Sequence, residues 1–151
     1  MKKRWWIVGI VVLALAGAVA GGLMVWPAGD DVPSPARLAL GRQVYDVHCA
    51  SCHGAELEGE ADWRKRRADG TLPAPPHDAS GHTWHHPDPQ LFAITKEGIA
   101  AFAPPGYKTT MGGYAGILSD EEIWAVLDYI KSRWPEDLRA RQADRTRRAG
   151  G

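Results

Sequence analysis

The sequence predicts an all-α fold: three main helices joined by long loops in one small domain, preceded by an N-terminal transmembrane helix. Three observations carry that expectation. Residues 5–26 form a run of 22 uncharged residues directly behind Lys2, Lys3 and Arg4. Three later segments carry apolar residues at helical spacing behind recognisable start signals, and no stretch alternates with the two-residue period of a strand. The segments between those helices, Gly54 to Pro87 and Ala100 to Leu118, are rich in Gly, Pro and His. Loops of that length in so small a domain need something to fold against.

The N-terminal run sets the topology. As a helix rising about 1.5 Å per residue, Trp5 to Trp26 would extend about 33 Å, enough for the hydrocarbon core of a bilayer. Tryptophans stand at both ends of the run, where interfacial belts place them, and the positive cluster belongs on the cytoplasmic side. That orientation describes a single-pass protein of a bacterial inner membrane, with everything after Pro27 on the periplasmic side. The alternative is a cleaved signal peptide, since Ala18-Val19-Ala20 fits the small-residue cleavage pattern. A retained anchor is the expectation, because the apolar run continues through Trp26. In either case the remainder is exported.

Residues 27–35, PAGDDVPSP, read as a polar, proline-rich linker. Residues 36–134 are the expected domain, and residues 135–151 a charged tail expected to be disordered and to fray. The chain has 18 Lys+Arg against 18 Asp+Glu, so no overall field favours nucleic acid as a partner. The basic clusters at Arg64 to Arg67 and Arg139 to Arg148 read as solvated surface and tail.

The first helix has Ser34 as its cap and Pro35 at its first position, with Leu40, Val44, Tyr45 and Val47 on one side. The second starts at Asp88-Pro89 by the same logic, carries Leu91, Phe92 and Ile94, and stops near Gly98. The third, SDEEIWAVLDYIKSRW, opens with Ser119 and Glu122 in capping-box spacing. Its buried stripe is Ile123, Val126, Leu127, Ile130 and Trp134, with Asp120, Glu121, Asp128 and Lys131 expected to face water.

The chemistry concentrates in DVHCASCHGAEL. It holds Cys49 and Cys52, both cysteines of the chain, and His53 directly follows. A redox dithiol at this spacing belongs near a βαβ pattern, which is missing. Structural zinc needs four ligands, usually with a second close pair; His82, His85 and His86 could supply one, but His53 would go unexplained. Covalent haem uses all three residues. Two thiols three apart share one face of a helical turn and add to the two haem vinyl groups, and the adjacent imidazole becomes an axial ligand of the iron. Thioether formation also leaves no free thiol to oxidise outside the cytoplasm, and the porphyrin gives the long loops their missing surface.

The other axial position of an electron carrier takes Met or His. Met1 and Met24 precede the domain, so Met111, in the glycine-rich stretch YKTTMGGYAG, is the expected ligand. The alternatives are one of His77, His82, His85 and His86, or an open site. A thioether favours ferrous iron and raises the potential, a histidine lowers it, and an open site allows ligand binding or peroxide chemistry. The three histidines within residues 82–86 are also a candidate for a separate metal.

From Pro35 to Pro135 the chain resembles the class I c-type cytochromes, monohaem Met/His electron carriers. The resemblance rests on Cys49-Ala50-Ser51-Cys52-His53 near the start, Met111 in a late loop and an amphipathic last helix. It implies a small cytochrome c fold wrapped round one haem c. It further implies that the terminal helices cross closely at Gly41, with Tyr45 meeting Tyr129, and that a proline carbonyl, of Pro75 or Pro76, orients the axial histidine. The sequence departs from small soluble members in its N-terminal run and in a long insert, Glu58 to Trp84. Trp84, at the end of that insert, is expected to pack on the ring or to donate its indole N–H to a propionate.

The expected function is one-electron transfer with no catalytic acid, base or nucleophile, between redox partner proteins held near the membrane. Two other readings remain open: a haem enzyme or gas sensor with an open or displaceable sixth position, and the cytochrome subunit of a larger oxidase or dehydrogenase.

Overall fold

Five α-helices and two short 3-10 turns account for the regular structure among the described residues. The computed structural model describes residues 32–150. The expected membrane segment, residues 1–26, and most of the linker lie outside them. No helix among the described residues is long and apolar enough to cross a membrane.

Helix α1 spans Pro35–His48 and begins as its sequence dictates: the Ser34 hydroxyl accepts the Arg37 N–H at 3.2 Å and Pro35 fills the first turn. One helical turn, α2 (Ala50–His53), follows at once. Helix α3 spans Asp88–Glu97 and ends at Gly98, whose φ of 82° no other residue adopts cheaply. Helix α4 spans Asp120–Ser132, with both halves of the Ser119–Glu122 capping box formed. Between these helices the chain makes loops, with 3-10 turns at Thr83–His85 and Ile99–Ala101.

The core lies where α1 crosses α4. Tyr45, Ile123, Val126, Leu127, Ile130 and Trp134 are buried, so the expected stripe of α4 faces inward over its whole length. At the crossing, a Cβ on Gly41 would stand 2.0 Å from the Ala125 carbonyl oxygen and 2.8 Å from Tyr129 Cβ. The two backbones touch because residue 41 has no side chain. Tyr45 and Tyr129 pack beside it at 5.6 Å between ring centroids. Helix α3 joins this pair through Phe92 stacked on Trp124 at 4.6 Å and through the Lys96–Asp120 ion pair.

Four expectations are corrected. Val47, placed on the inner side of α1, is 68% exposed; three residues on from Val44, it falls outside the buried face. Asp128 and Lys131 do not face water: Asp128 pairs with Arg37 and with Lys131, and Lys131 also reaches Asp88 at 3.0 Å. Asp88 does not cap α3. Pro87 holds the cap position without a side-chain bond, which frees the Asp88 carboxylate for Lys131 and Gln142.

The fourth correction concerns the tail. Residues 136–149 form a helix, α5 (Glu136–Ala149). Acidic residues open it and basic residues close it, matching the helix dipole. Spaced pairs Asp137–Arg141 and Asp144–Arg148 run along its outside. Its inner contact is polar: Gln142 is buried and bonded to residues 86 and 88.

Candidate functional site

Helix α1 delivers the cysteine pair. Its last N–H bonds carry straight into the next turn, with Cys52 N and His53 N both donating to the Cys49 carbonyl at 3.1 and 2.9 Å. That turn ends at Gly54, with φ at 81°, and the Tyr45 hydroxyl holds the Gly54 carbonyl at 2.8 Å. Cys49, Cys52 and His53 therefore share one rigid turn tied to the core. Cys49 is partly buried and Cys52 exposed. Burial, reinforced by Cys52, pushes the Cys49 thiol up to about 11. Reactive dithiols are built the other way, with surroundings that lower the thiol pKa, so the pair is not organised for disulfide exchange.

His53 is buried, and its Nδ1 lies 2.8 Å from the Pro75 carbonyl oxygen. A carbonyl can only accept, so Nδ1 carries the proton and Nε2 keeps a free lone pair. Desolvation lowers the ring's pKa and so favours the neutral imidazole, the form that ligates metals, with the Pro75 bond and Glu60 opposing in part. Pro76, the other candidate, has a different job. Its carbonyl packs so tightly on Gly81 that a Cβ there would approach it to 2.0 Å.

The long insert does not displace Pro75, because its ends are pinned together. Glu60 N–H donates to the Ala74 carbonyl at 2.9 Å, and the Ala74 N–H returns to the Glu60 carboxylate at 2.6 Å. Residues 61–73 are thus an excursion, closed further by Arg67 on Glu60. The chain re-enters the site at Pro75 as a short loop would.

His77 follows and stacks on His53, with centroids 4.0 Å apart and planes 24° from parallel. Its Nδ1 meets Thr83 Oγ1 at 2.8 Å, and its carbonyl accepts the Trp134 indole N–H at 2.7 Å. Two imidazoles on opposite sides of one iron point their nitrogens at each other through the metal and cannot also lie face to face. His77 therefore packs against His53 and is not a ligand opposite it. The other candidate histidines pack on rings: His82 stacks on Trp63, His85 on Trp84, and His86 meets His82 edge-on. Among the described residues no cluster of three or more His, Cys, Asp or Glu could hold a separate metal.

Met111 sits partly buried in a loop fastened at two points. Tyr114 N and Ala115 N donate to the Thr95 and Lys96 carbonyls at the end of α3, at 3.1 and 2.8 Å. The Tyr114 hydroxyl donates to the His48 carbonyl at 2.6 Å, next to Cys49. Gly113 has no room for a Cβ, which would meet the Glu97 backbone at 2.6 Å. Tyr114 was not legible as a site residue, nor Gln142 as a contact of residues 86 and 88, and His77 was expected only as an alternative axial ligand. The signal for Tyr114 was an aromatic just past a Gly-Gly pair; Gln142 gave none, and only the fold shows that His77 stacks on His53 and that Gln142 reaches residue 86.

Trp84 supplies the test of whether these residues fit a porphyrin. Its Nε1 is a buried side-chain polar atom with no partner among the described residues, and such donors in folded proteins are nearly always satisfied. An acidic group of a bound cofactor is a natural acceptor. Two thiols on one turn, a neutral imidazole with Nε2 free, a loop thioether and this donor together fit a covalent haem.

A family model for cytochrome c matches residues 38–134. The chain belongs to the cytochrome c family. It accordingly carries haem c covalently, with Cys49 and Cys52 in the attachment positions, and serves haem electron transfer. Relatives include the cytochrome bc1 complex cytochrome c subunits of Mycobacterium bovis and Mycobacterium tuberculosis, each 42% identical over 55 residues, or 35% of this chain and 20% of theirs. The Mycobacterium leprae subunit is 42% identical over the same length and 19% of its own. The chain spans about a fifth of the length of these curated relatives.

Proposed function

We propose that this protein is a one-electron carrier, not an enzyme, tethered to a membrane by residues 5–26 with its haem domain on the periplasmic side. Haem c supplies the ferric–ferrous couple; the chain holds it and sets its surroundings. Cys49 and Cys52 would attach the ring, and His53 and Met111 would ligate its iron. The observation that carries this reading is the His53–Pro75 bond, which orients a buried, neutral imidazole next to two thiols on one turn. A carrier needs both oxidation states held in one geometry, and the site's anchors serve that need. Pro75 and His77 fix the plane of His53, Tyr114 and α3 fix the Met111 loop, and Trp84 would donate its indole N–H to an acidic group of the haem.

The tether rests on the sequence: Lys2, Lys3 and Arg4 before 22 uncharged residues. Confinement to the membrane surface raises the effective concentration of membrane-bound redox partners. The likeness to bc1-complex cytochrome c subunits supports a second reading, in which the domain works as one subunit of a larger respiratory assembly. Purification in mild detergent distinguishes the two, as a subunit brings its complex with it.

The central test is made on the haem-loaded full chain. A pyridine haemochrome and a haem-stained denaturing gel should show one covalent haem, lost on Cys49→Ala/Cys52→Ala. The reduced wild type should bind carbon monoxide weakly, and Met111→Ala tightly. Tight binding by the wild type, unchanged by the substitution, would overturn the carrier reading.

A further inference from the structure

Helix α5 lies beyond the residues that match the cytochrome c family, 38–134, and it docks in an unusual way. A helix packed on a protein normally buries an apolar stripe. In α5 the buried residue is Gln142, with Leu138 partly packed on the core. Its other residues are largely charged and turned to solvent.

What Gln142 grips is one short segment. Its side-chain N–H groups reach the His86 carbonyl at 3.2 Å and the Asp88 carboxylate at 2.7 Å, sharing with Thr146 Oγ1 at 3.2 Å. One turn further along α5, the Thr146 hydroxyl oxygen accepts the Asp88 backbone N–H at 3.0 Å. Lys131 of α4 holds the second oxygen of the same carboxylate at 3.0 Å. The carbonyl of residue 86, the N–H of residue 88 and the Asp88 side chain are all held from outside.

The segment just before is the 3-10 turn Thr83–His85, closed by His86 N–H on the Thr83 carbonyl at 3.1 Å. Its near end is fixed at the site itself, where Thr83 Oγ1 meets His77 Nδ1. Its far end is the part that α5 grips. Between the two stands Trp84, with its buried, unpartnered indole N–H.

We propose that α5 is a latch: Gln142 and Thr146 fix residues 86–88 and thereby aim the Trp84 indole N–H at an acidic group of the bound haem. Both are positioning residues that act through Trp84. The inference rests on the role given to Trp84 above. It predicts that a change about two turns inside the C-terminal helix is felt at the cofactor, although the side-chain hydrogen bonds of Gln142 go to residues 86, 88 and 146.

The test uses the haem-loaded full chain and four variants. Gln142→Met keeps length and loses both donors; Thr146→Val loses the acceptor, and Thr146→Ser restores it; Trp84→Phe removes the indole N–H. Indole hydrogen exchange is followed by NMR, with the Trp134 indole, bonded to the His77 carbonyl, as an internal control for folding. Local exchange reports local opening. The latch predicts Trp84 exchange about tenfold faster in Gln142→Met and Thr146→Val, with Trp134 unchanged and Thr146→Ser near wild type. The midpoint potential should move in the same direction in Gln142→Met as in Trp84→Phe, and no further in the double variant than in Trp84→Phe alone. If Trp84→Phe shifts the potential while Gln142→Met alters neither exchange nor potential, or adds to it independently, the latch is overturned and the role of Trp84 stands. If the wild-type Trp84 indole exchanges freely and Trp84→Phe leaves the potential unmoved, the role of Trp84 falls and the latch falls with it.

Discussion

At the α1–α4 crossing, Gly41 brings two backbones into contact over a buried stripe running from Tyr45 to Trp134. At the α5 contact, one amide side chain and one hydroxyl hold the end of a turn through three polar groups: the His86 carbonyl, the Asp88 N–H and the Asp88 carboxylate. Both regions serve the haem site: the first presents Cys49, Cys52 and His53, and the second fixes the turn that carries Trp84. They differ in how a single change propagates. An apolar crossing spreads its energy over many contacts, so truncation costs in proportion to lost volume, whereas insertion meets rigid backbone. A polar clasp concentrates its energy in a few directional bonds. Losing one partner there strands another buried group and loosens one local segment.

The sharpest way to break the first region is Gly41→Ala. The added Cβ would lie 2.0 Å from the Ala125 carbonyl oxygen, an atom of a helix backbone that cannot turn aside. Overpacking of this kind costs about 3 kcal/mol, well beyond the roughly 1 kcal/mol that alanine gains in helix propensity. Guanidinium denaturation of the haem-loaded protein measures it. A loss below about 1 kcal/mol would mean that the helices slide apart freely, and that the crossing is not the rigid half of the comparison.

The two regions were unequally legible in the sequence, for the same physical reason. Apolar periodicity and caps signal burial directly, so Ser34, Ser119 and the α4 stripe could be read before the fold, whereas the Gly41–Tyr129 approach was implied only by the family resemblance. Cys49-x-x-Cys52-His53 was readable because its chemistry is local to one turn. Polar contacts distant in sequence leave no such trace. Nothing in RARQADRTRR marks Gln142 as the buried residue of its helix, so the tail read as a fraying end. The charges that do mark it as helical, Asp137 with Arg141 and Asp144 with Arg148, were readable and were outweighed by its overall charge. Pro75 could not be separated from Pro76 because the choice depends on Gly81, six residues away from Pro75, packing against Pro76.

Gly81→Ala tests the boundary between the regions. Its Cβ would meet the Pro76 carbonyl at 2.0 Å, in a loop that can shift more than a helix can. A stability loss of about 2 kcal/mol is expected, smaller than at Gly41 because part of the clash relaxes. Relaxation moves the residue next to Pro75, so the His53 Nδ1–H held by the Pro75 carbonyl should exchange faster by NMR. Stability lost with that exchange unchanged would show that Pro75 is held independently of Pro76.

The smallest expected effect is at the start of α4, where the apolar region itself relies on a polar device. The Ser119 hydroxyl accepts the Glu122 N–H at 3.2 Å, while the Glu122 carboxylate takes the Ser119 N–H and hydroxyl, each at 2.8 Å. Those two donors hold the Glu122 carboxyl below the usual range. A carboxyl that gives up its proton more readily in the folded chain leaves the unfolded chain with more bound protons. Its contribution is therefore complete above the usual carboxylate pKa and is lost as pH falls through the lowered folded value. Ser119→Ala should cost about 1 kcal/mol at neutral pH through the lost cap. Glu122→Gln preserves an acceptor on the Ser119 N–H and removes the titration, so its deficit against wild type should shrink as the pH is lowered below 4. Denaturation midpoints across that range decide it. A deficit that stays constant with pH would mean that the box stabilises α4 by geometry alone, and that even its charged member behaves like the uncharged side chains of Gln142 and Thr146 in α5.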